Sequence, residues 1–317
     1  MRYIEVRARK AALMLMIGIV AYFACSGHAG AAAGKIQVVA TTGMLADAMQ
    51  EVGGEFVEVA ALMGSGVDPH TYRQTRSDIA ALRRADLIVW HGLRLEAQLQ
   101  PLLDKLSARQ TVVALAQAVP KERLLSDANN PDWFDPHIWM DPGLWRLVVD
   151  AARDALIAKD PEHERQYRDN AKRYNQAIAA AHESNRKLLS SVPPEKRVLV
   201  TAHDAFRYFG RLYGYEVLGI QGISTESEAS LHRIEQLVRL LVERRINAIF
   251  VEFSVSDRAM RALVEGAASR GHRVVIGGEL YSDAMGRPGT REGTYIGMIE
   301  HNARTISQAL IQAPAKP

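Results

Sequence analysis

Apolar and polar positions follow two alternating periods through most of the chain. Between residues 35 and 120, short β-branched runs at Ile36–Ala40, Val57–Leu62, Leu87–Trp90 and Thr111–Leu115 predict strands. Stretches of helical spacing at Leu45–Val52, Ser77–Arg84 and Leu95–Leu106 separate them. Residues 197–277 repeat the theme, with strands at Val198–Val200, Val217–Ile220, Ala248–Val251 and Val274–Ile276 and helices at Ala205–Tyr213, Glu228–Glu243 and Asp257–Ser269. Alternation of this kind predicts an α/β protein of two lobes, each a mostly parallel sheet flanked by helices.

A different pattern lies between the two. From Glu162 to about Ser190 there is no Gly or Pro, and Tyr167, Ala171, Tyr174, Ile178 and Ala181 recur at spacings of three and four among charged residues. This predicts one long helix, about 43 Å from end to end. Pro161 before it and Pro193-Pro194 after it mark its limits. A helical spine restricts lobe motion in a way that a Gly/Ser linker does not. The expected organisation is a leader over 1–33, an N-terminal α/β lobe over 35–143, a helical segment with the linking helix over 144–192, and a C-terminal α/β lobe over 193–317.

The leader follows from the first residues. Arg2, Arg7, Arg9 and Lys10 precede an apolar run from Ala11 to Cys25, and small residues follow from Gly27 to Gly34, which is the pattern of a secretory signal. The run is shorter than the roughly 20 residues a permanent transmembrane helix needs. Cys25, the only cysteine, stands where a bacterial lipoprotein carries its lipid, but the residues before it lack the usual aliphatic position. Ala29-Gly30-Ala31 and Ala31-Ala32-Ala33 offer ordinary cleavage sites. The chain is therefore expected outside the cytoplasm, periplasmic or held to the membrane by a lipid on Cys25. Residues 1–33 carry four positive and one negative charge, so without them the formal net charge falls from +3 to zero. No basic patch emerges, which argues against nucleic acid as a partner.

The candidate chemistry begins with a repeated tripeptide. Asp68-Pro69-His70 and Asp135-Pro136-His137 both fall where the strand and helix patterns break. Proline fixes its own φ and biases the preceding residue to an extended conformation, so the imidazole is presented from a stiff turn. A single loop histidine is ordinarily a solvated polar residue, and two in one tripeptide shift the balance toward ligation without naming a metal. His203 follows the strand at Val198–Thr201, at the carboxyl edge where open α/β sheets bind ligands. Asp283, a few residues beyond Val274–Ile276, belongs to the same edge, although alone it reads as a turn or capping residue. Together these four predict two ligands from each lobe meeting across the cleft. His91 reads as a turn residue near the cleft, and His163, His182, His232, His272 and His301 as surface positions. Trp139, Phe206, Tyr208 and Phe209 either wall the site or fill the core, and Glu226 and Glu228 read as caps of the following helix.

Five motifs in order now carry a family resemblance. Val67–Tyr72, Asp135–Trp139, Thr201–Phe209, Gly222–Glu228, and Asp283–Gly286 with Gly293–Met298 resemble the manganese/zinc solute-binding proteins of ABC importers, the TroA-like family. The resemblance covers nearly the whole chain after the leader. It implies two α/β lobes joined by a long rigid helix, and it places the family's four metal ligands on His70, His137, His203 and Asp283.

Three imidazoles and one carboxylate suit Mn2+, Zn2+ or Fe2+ and not a calcium site, which wants six to eight oxygens. Four protein ligands leave no assured position for a catalytic water, so capture and transport are implied and not catalysis. Asp68, Asp135 and Asp204 are candidates to orient the imidazoles. Zinc-importing relatives often carry a long His-rich loop before the second ligand. Here Lys121–Phe134 is short and has no His, and Gly222–Glu228 looks more like the manganese and iron branch. Manganese is therefore expected ahead of zinc, with affinity falling below about pH 6 as imidazoles protonate. The expected partners are the metal ion, a membrane permease and its ATPase, with the chain a monomer. Rival readings are a metal-binding adhesin or chaperone without a transporter, and a metal-dependent hydrolase. The hydrolase lacks any H-E-x-x-H or G-x-S-x-G motif in this sequence.

Overall fold

The computed structural model describes residues 34–127, 130 and 132–312. The leader at 1–33, with Cys25 and both cleavage sites, lies outside the described residues. In the first lobe, strands β1 (Ile36–Ala40), β2 (Val57–Ala61), β3 (Leu87–Trp90) and β4 (Val112–Ala114) form one parallel sheet in the order β2-β1-β3-β4. Helices α1 (Gly43–Gly53), α2 (Arg76–Arg84) and α3 (Gln100–Ser107) belong to the connections. Each start has a local reason. Thr42 caps α1, and Thr75 with Asp78 closes a capping box on α2. The helix expected from Leu95 begins only at Gln100, because the buried Glu96 carboxylate is taken up by the loop after β3. It accepts the amides of His91 and Gly92 and the hydroxyl of Thr41.

Two helices follow in the chain before the second lobe. Helix α4 (Pro142–Lys159) opens with Asp141 as its cap and proline in its first turn. Helix α5 (Glu164–Ser190) is the predicted spine, 27 residues long and so about 40 Å. Its first half is tied to the N-terminal lobe, where Asn170 donates to the Val52 carbonyl and Tyr174 to Asp47. Its second half reaches the other lobe, where Asn185 donates to the Ile299 carbonyl.

In the second lobe, β5 (Val198–Thr201) pairs with β6 (Glu216–Gly219) and β7 (Ala248–Glu252) with β8 (Val275–Leu280), both in parallel. Helices α6 (Arg207–Tyr213), α7 (Leu231–Glu243), α8 (Arg258–Ala268) and α9 (Tyr295–Gln312) cover them. Strand β8 runs four residues past its predicted end, through Gly277-Gly278. A Cβ at Gly277 would stand 2.7 Å from Ala309 on α9 and 3.0 Å from the Phe250 ring, so glycine there lets the helix lie against the strand. Among the described residues, no helix is long and apolar enough to cross a membrane. One apolar cluster runs through both lobes, from Met44 and Leu87 by way of Trp139, Trp145 and Tyr167 to Phe206, Phe250 and Tyr295. An apolar core continuous across the lobes agrees with the restricted motion expected of a helical spine.

Candidate metal centre

The four predicted residues meet. His70, His137, His203 and Asp283 are all buried, and one ligand atom from each lies within 4.8 Å of the others. His70 Nε2 is 3.3 Å from His137 Nε2, which is 3.4 Å from His203 Nε2. Asp283 Oδ2 lies 3.5 Å from His70 Nε2 and 3.1 Å from His203 Nε2, and its Oδ1 lies 3.4 Å from His137 Nε2. A tetrahedron with bonds of 2.0–2.2 Å to its centre has edges of about 3.3–3.6 Å. These five separations lie close to that edge, and with all four ligand atoms within 4.8 Å of one another the cluster could close on a single ion. Neither Asp283 oxygen has a hydrogen-bond donor, although both are fully buried. A buried carboxylate is ordinarily satisfied, so this one could take a cation or the protons of the neighbouring imidazoles.

The two tripeptides are built alike. Asp68 Oδ1 accepts the His70 amide at 2.9 Å, and Asp135 Oδ1 accepts the His137 amide at 3.0 Å. Each aspartate closes a turn on the histidine two residues on. Asp135 Oδ1 also lies 2.7 Å from His137 Nδ1, which fixes the tautomer and turns Nε2 to the centre. Arg207 stands 3.4 Å behind that carboxylate, and Tyr208 donates to the Asp135 carbonyl.

His203 has a counterpart that sequence reasoning missed. Glu252, at the end of β7, accepts the His203 amide at 2.9 Å on Oε1 and places Oε2 2.6 Å from His203 Nδ1, a charge contact more than an aligned hydrogen bond. Asp204, expected in that role, is turned away toward Arg207 at 3.7 Å. The only available signal for Glu252 was an acidic residue closing an otherwise apolar strand.

Electrostatics follow from these pairs. Burial lowers the His137 pKa, but Asp135 and Asp283 outweigh it and hold it up at about 9. Burial likewise opposes the His203 charge, and Glu252 and Asp283 overcome it, leaving the value well above the ordinary range. Burial raises Asp283, and the His203 and His137 charges carry it well below the usual carboxylate value. His70 differs, because burial dominates and pushes it down to about 3.

The remaining candidates fall into place. His91 is buried and holds the second turn, with Nε2 2.7 Å from the Pro136 carbonyl. Of the histidines expected at the surface, only His232 is exposed. His163, His182, His272 and His301 are half-buried with hydrogen-bond partners. Trp139, Phe206, Tyr208 and Phe209 are all buried. Trp139 packs its ring 5.2 Å from His137 and donates to the Ser282 carbonyl next to Asp283, so it serves both as wall and as core. Glu226 and Glu228 do not cap the next helix. Ser230 does, and Glu226 accepts from Gln98 across the cleft.

Two α/β lobes on a helical spine, closed over a buried cluster of three imidazoles and one carboxylate, define the helix-linked class of solute-binding protein. Residues 38–309 match the ZnuA family, described as zinc-uptake complex component A, periplasmic, and the chain belongs to it. It is 45% identical over 295 residues to the manganese-binding lipoprotein MntA of Bacillus subtilis, covering 92% of this chain and 96% of the relative. It is 43% identical over 307 residues to the zinc-binding protein TroA of Treponema pallidum, covering 96% and 99%. A solved structure, the periplasmic zinc-binding protein TroA from Treponema pallidum, superposes with a TM-score of 0.85 at 44% identity over 87% of this chain and 99% of that one.

Proposed function

We propose that this chain is the extracytoplasmic capture component of an ABC importer for a divalent transition metal, binding one ion on His70, His137, His203 and Asp283 and delivering it to a membrane permease served by an ATPase. The observation that carries the reading is the buried cluster itself, with five of its ligand separations at 3.1–3.5 Å and all four ligand atoms within 4.8 Å of one another. The protein acts as a monomer, with lobes over 35–143 and 193–317 and the helical segment over 144–192 between them. It is not an enzyme: four protein ligands fill a tetrahedral shell and leave no position for a reacting water.

Manganese is favoured over zinc and ferrous iron. The two relatives named for different metals are nearly equally similar, so identity does not choose between them. The short, His-free stretch Lys121–Phe134 and the tract Gly222–Glu228 support manganese. Competition by zinc is strong at any such site, because nitrogen ligands bind zinc more tightly than manganese. Metal content of protein purified without added metal, compared with His70→Ala, tests the reading. About one ion per chain, lost in the variant, is the expected result, and equal content in both would remove His70 from the site.

A further inference from the structure

The tract Gly222–Glu228 supplies none of the four residues of the centre, yet it makes two hydrogen bonds to the opposite lobe. Thr225 Oγ1 donates to Asp68 Oδ2 at 2.5 Å, and Gln98 Nε2 donates to Glu226 Oε1 at 2.6 Å. The first of these falls on the carboxylate that shapes a ligand turn.

The twin tripeptides diverge at this point. Asp135 spends one oxygen on both the amide and the ring of His137, so that ring is anchored directly. The His203 ring has Glu252 behind it. Among the described residues, no carboxylate stands behind the His70 Nδ1. Asp68 holds only the His70 amide, with its second oxygen taken by Thr71 at 3.2 Å and by Thr225. Apart from its contacts with the other three residues of the centre, His70 is thus placed through its backbone turn, and that turn is fastened to the opposite lobe. It is also the ligand that lines a cavity of about 100 Å3 beside the centre, together with Leu93, Trp133, Ile223, Ser224 and Glu226. An ion leaving by that side passes His70 and the Thr225 tract.

Resting on the function proposed above, we propose that Thr225 is a positioning residue that sets how long the ion stays. Through Asp68 it holds the turn carrying His70, and when the tract lifts, the one ligand with an unanchored ring is freed. A hydrogen bond to a carboxylate at this distance is of the strong, charge-assisted kind, and contacts that hold a closed state act chiefly on the rate of leaving.

The test uses the full chain loaded with Mn2+ and, separately, with Zn2+, and follows release into excess chelator by stopped flow. Thr225→Val keeps the shape and removes the donor, and Thr225→Ser restores it. The expected result is release about tenfold faster in Thr225→Val and within about twofold of wild type in Thr225→Ser. Melting of the metal-free proteins should show all three folded, with Thr225→Ser matching wild type. A Thr225→Val rate equal to that of loaded wild type overturns this proposal and leaves the proposed function standing. Equal acceleration in both variants assigns the effect to loop packing and also overturns it. A wild type that takes up neither ion overturns both.

Discussion

Glu252 and His203, 49 residues apart, are joined twice: one carboxylate oxygen accepts the His203 amide at 2.9 Å and the other lies 2.6 Å from its Nδ1. Asp135 joins His137 twice from two residues away through one oxygen, which accepts the amide at 3.0 Å and lies 2.7 Å from Nδ1. The two imidazoles are therefore oriented by equivalent chemistry reached along very different stretches of chain.

Removing the carboxylate charge should weaken the ion's hold without deleting a ligand. Glu252→Gln is expected to lower metal affinity by about 10–100-fold in competition titrations, and Asp135→Asn by a similar factor. Affinity unchanged in both variants would show that the carboxylates serve only the fold.

Metal uptake should release protons. The His137 pKa stands at about 9 and that of His203 well above its ordinary value, so the metal-free centre holds protons that an ion must displace. The free protein binds more protons than the loaded one, so affinity rises with pH and levels only above about 9. This places the window higher than the value near pH 6 expected of ordinary imidazoles. Calorimetry in buffers of different ionisation enthalpy should find about two protons released per ion near pH 7. No release, with affinity flat between about pH 6 and about pH 9, would contradict the pairing.

The strands, the spine and the four residues that meet at the centre were legible in the sequence, because periodicity and a repeated tripeptide are local signals. Helices α4 and α9 were not named individually. The first was absorbed into the helical segment, although Asp141-Pro142 is a readable start, and the second begins inside a motif read for chemistry. Glu252 was invisible for a physical reason: its partner lies on another strand, and only the packing of β5 beside β7 brings them together. Glu226 was misread because an acidic residue ahead of a helix resembles a cap, whereas Ser230 fills that role and frees Glu226 to cross the cleft.

Asp47 should make stability depend on pH. Burial of its carboxyl, where Tyr174 and the Tyr295 amide donate to it, raises its pKa from 3.8 to about 6. The folded chain then holds this proton more tightly than the unfolded one, so the stabilisation is complete below about pH 4 and lost as pH rises through about 6. Asp47→Asn keeps an acceptor for Tyr174 and does not titrate. Urea unfolding of the metal-free proteins should shift the stability difference in favour of the variant by up to about 3 kcal/mol between pH 4 and pH 7.5. A difference independent of pH would refute this.

Trp139→Phe should cost stability in proportion to one lost buried hydrogen bond. The Trp139 indole donates to the Ser282 carbonyl at 2.7 Å, and the variant leaves that acceptor unpaired in the core. A loss of about 1–3 kcal/mol in urea unfolding is expected, with weaker metal binding because Ser282 precedes Asp283. Stability and affinity both at wild-type levels would show that the contact is dispensable.

The most direct measurement is anomalous diffraction from crystals of the Mn2+-loaded protein. One peak is predicted, bonded at about 2.0–2.3 Å to Nε2 of His70, His137 and His203 and to an Asp283 oxygen. A peak bonded to other residues, or none at this centre in protein shown to carry the metal, would contradict the account.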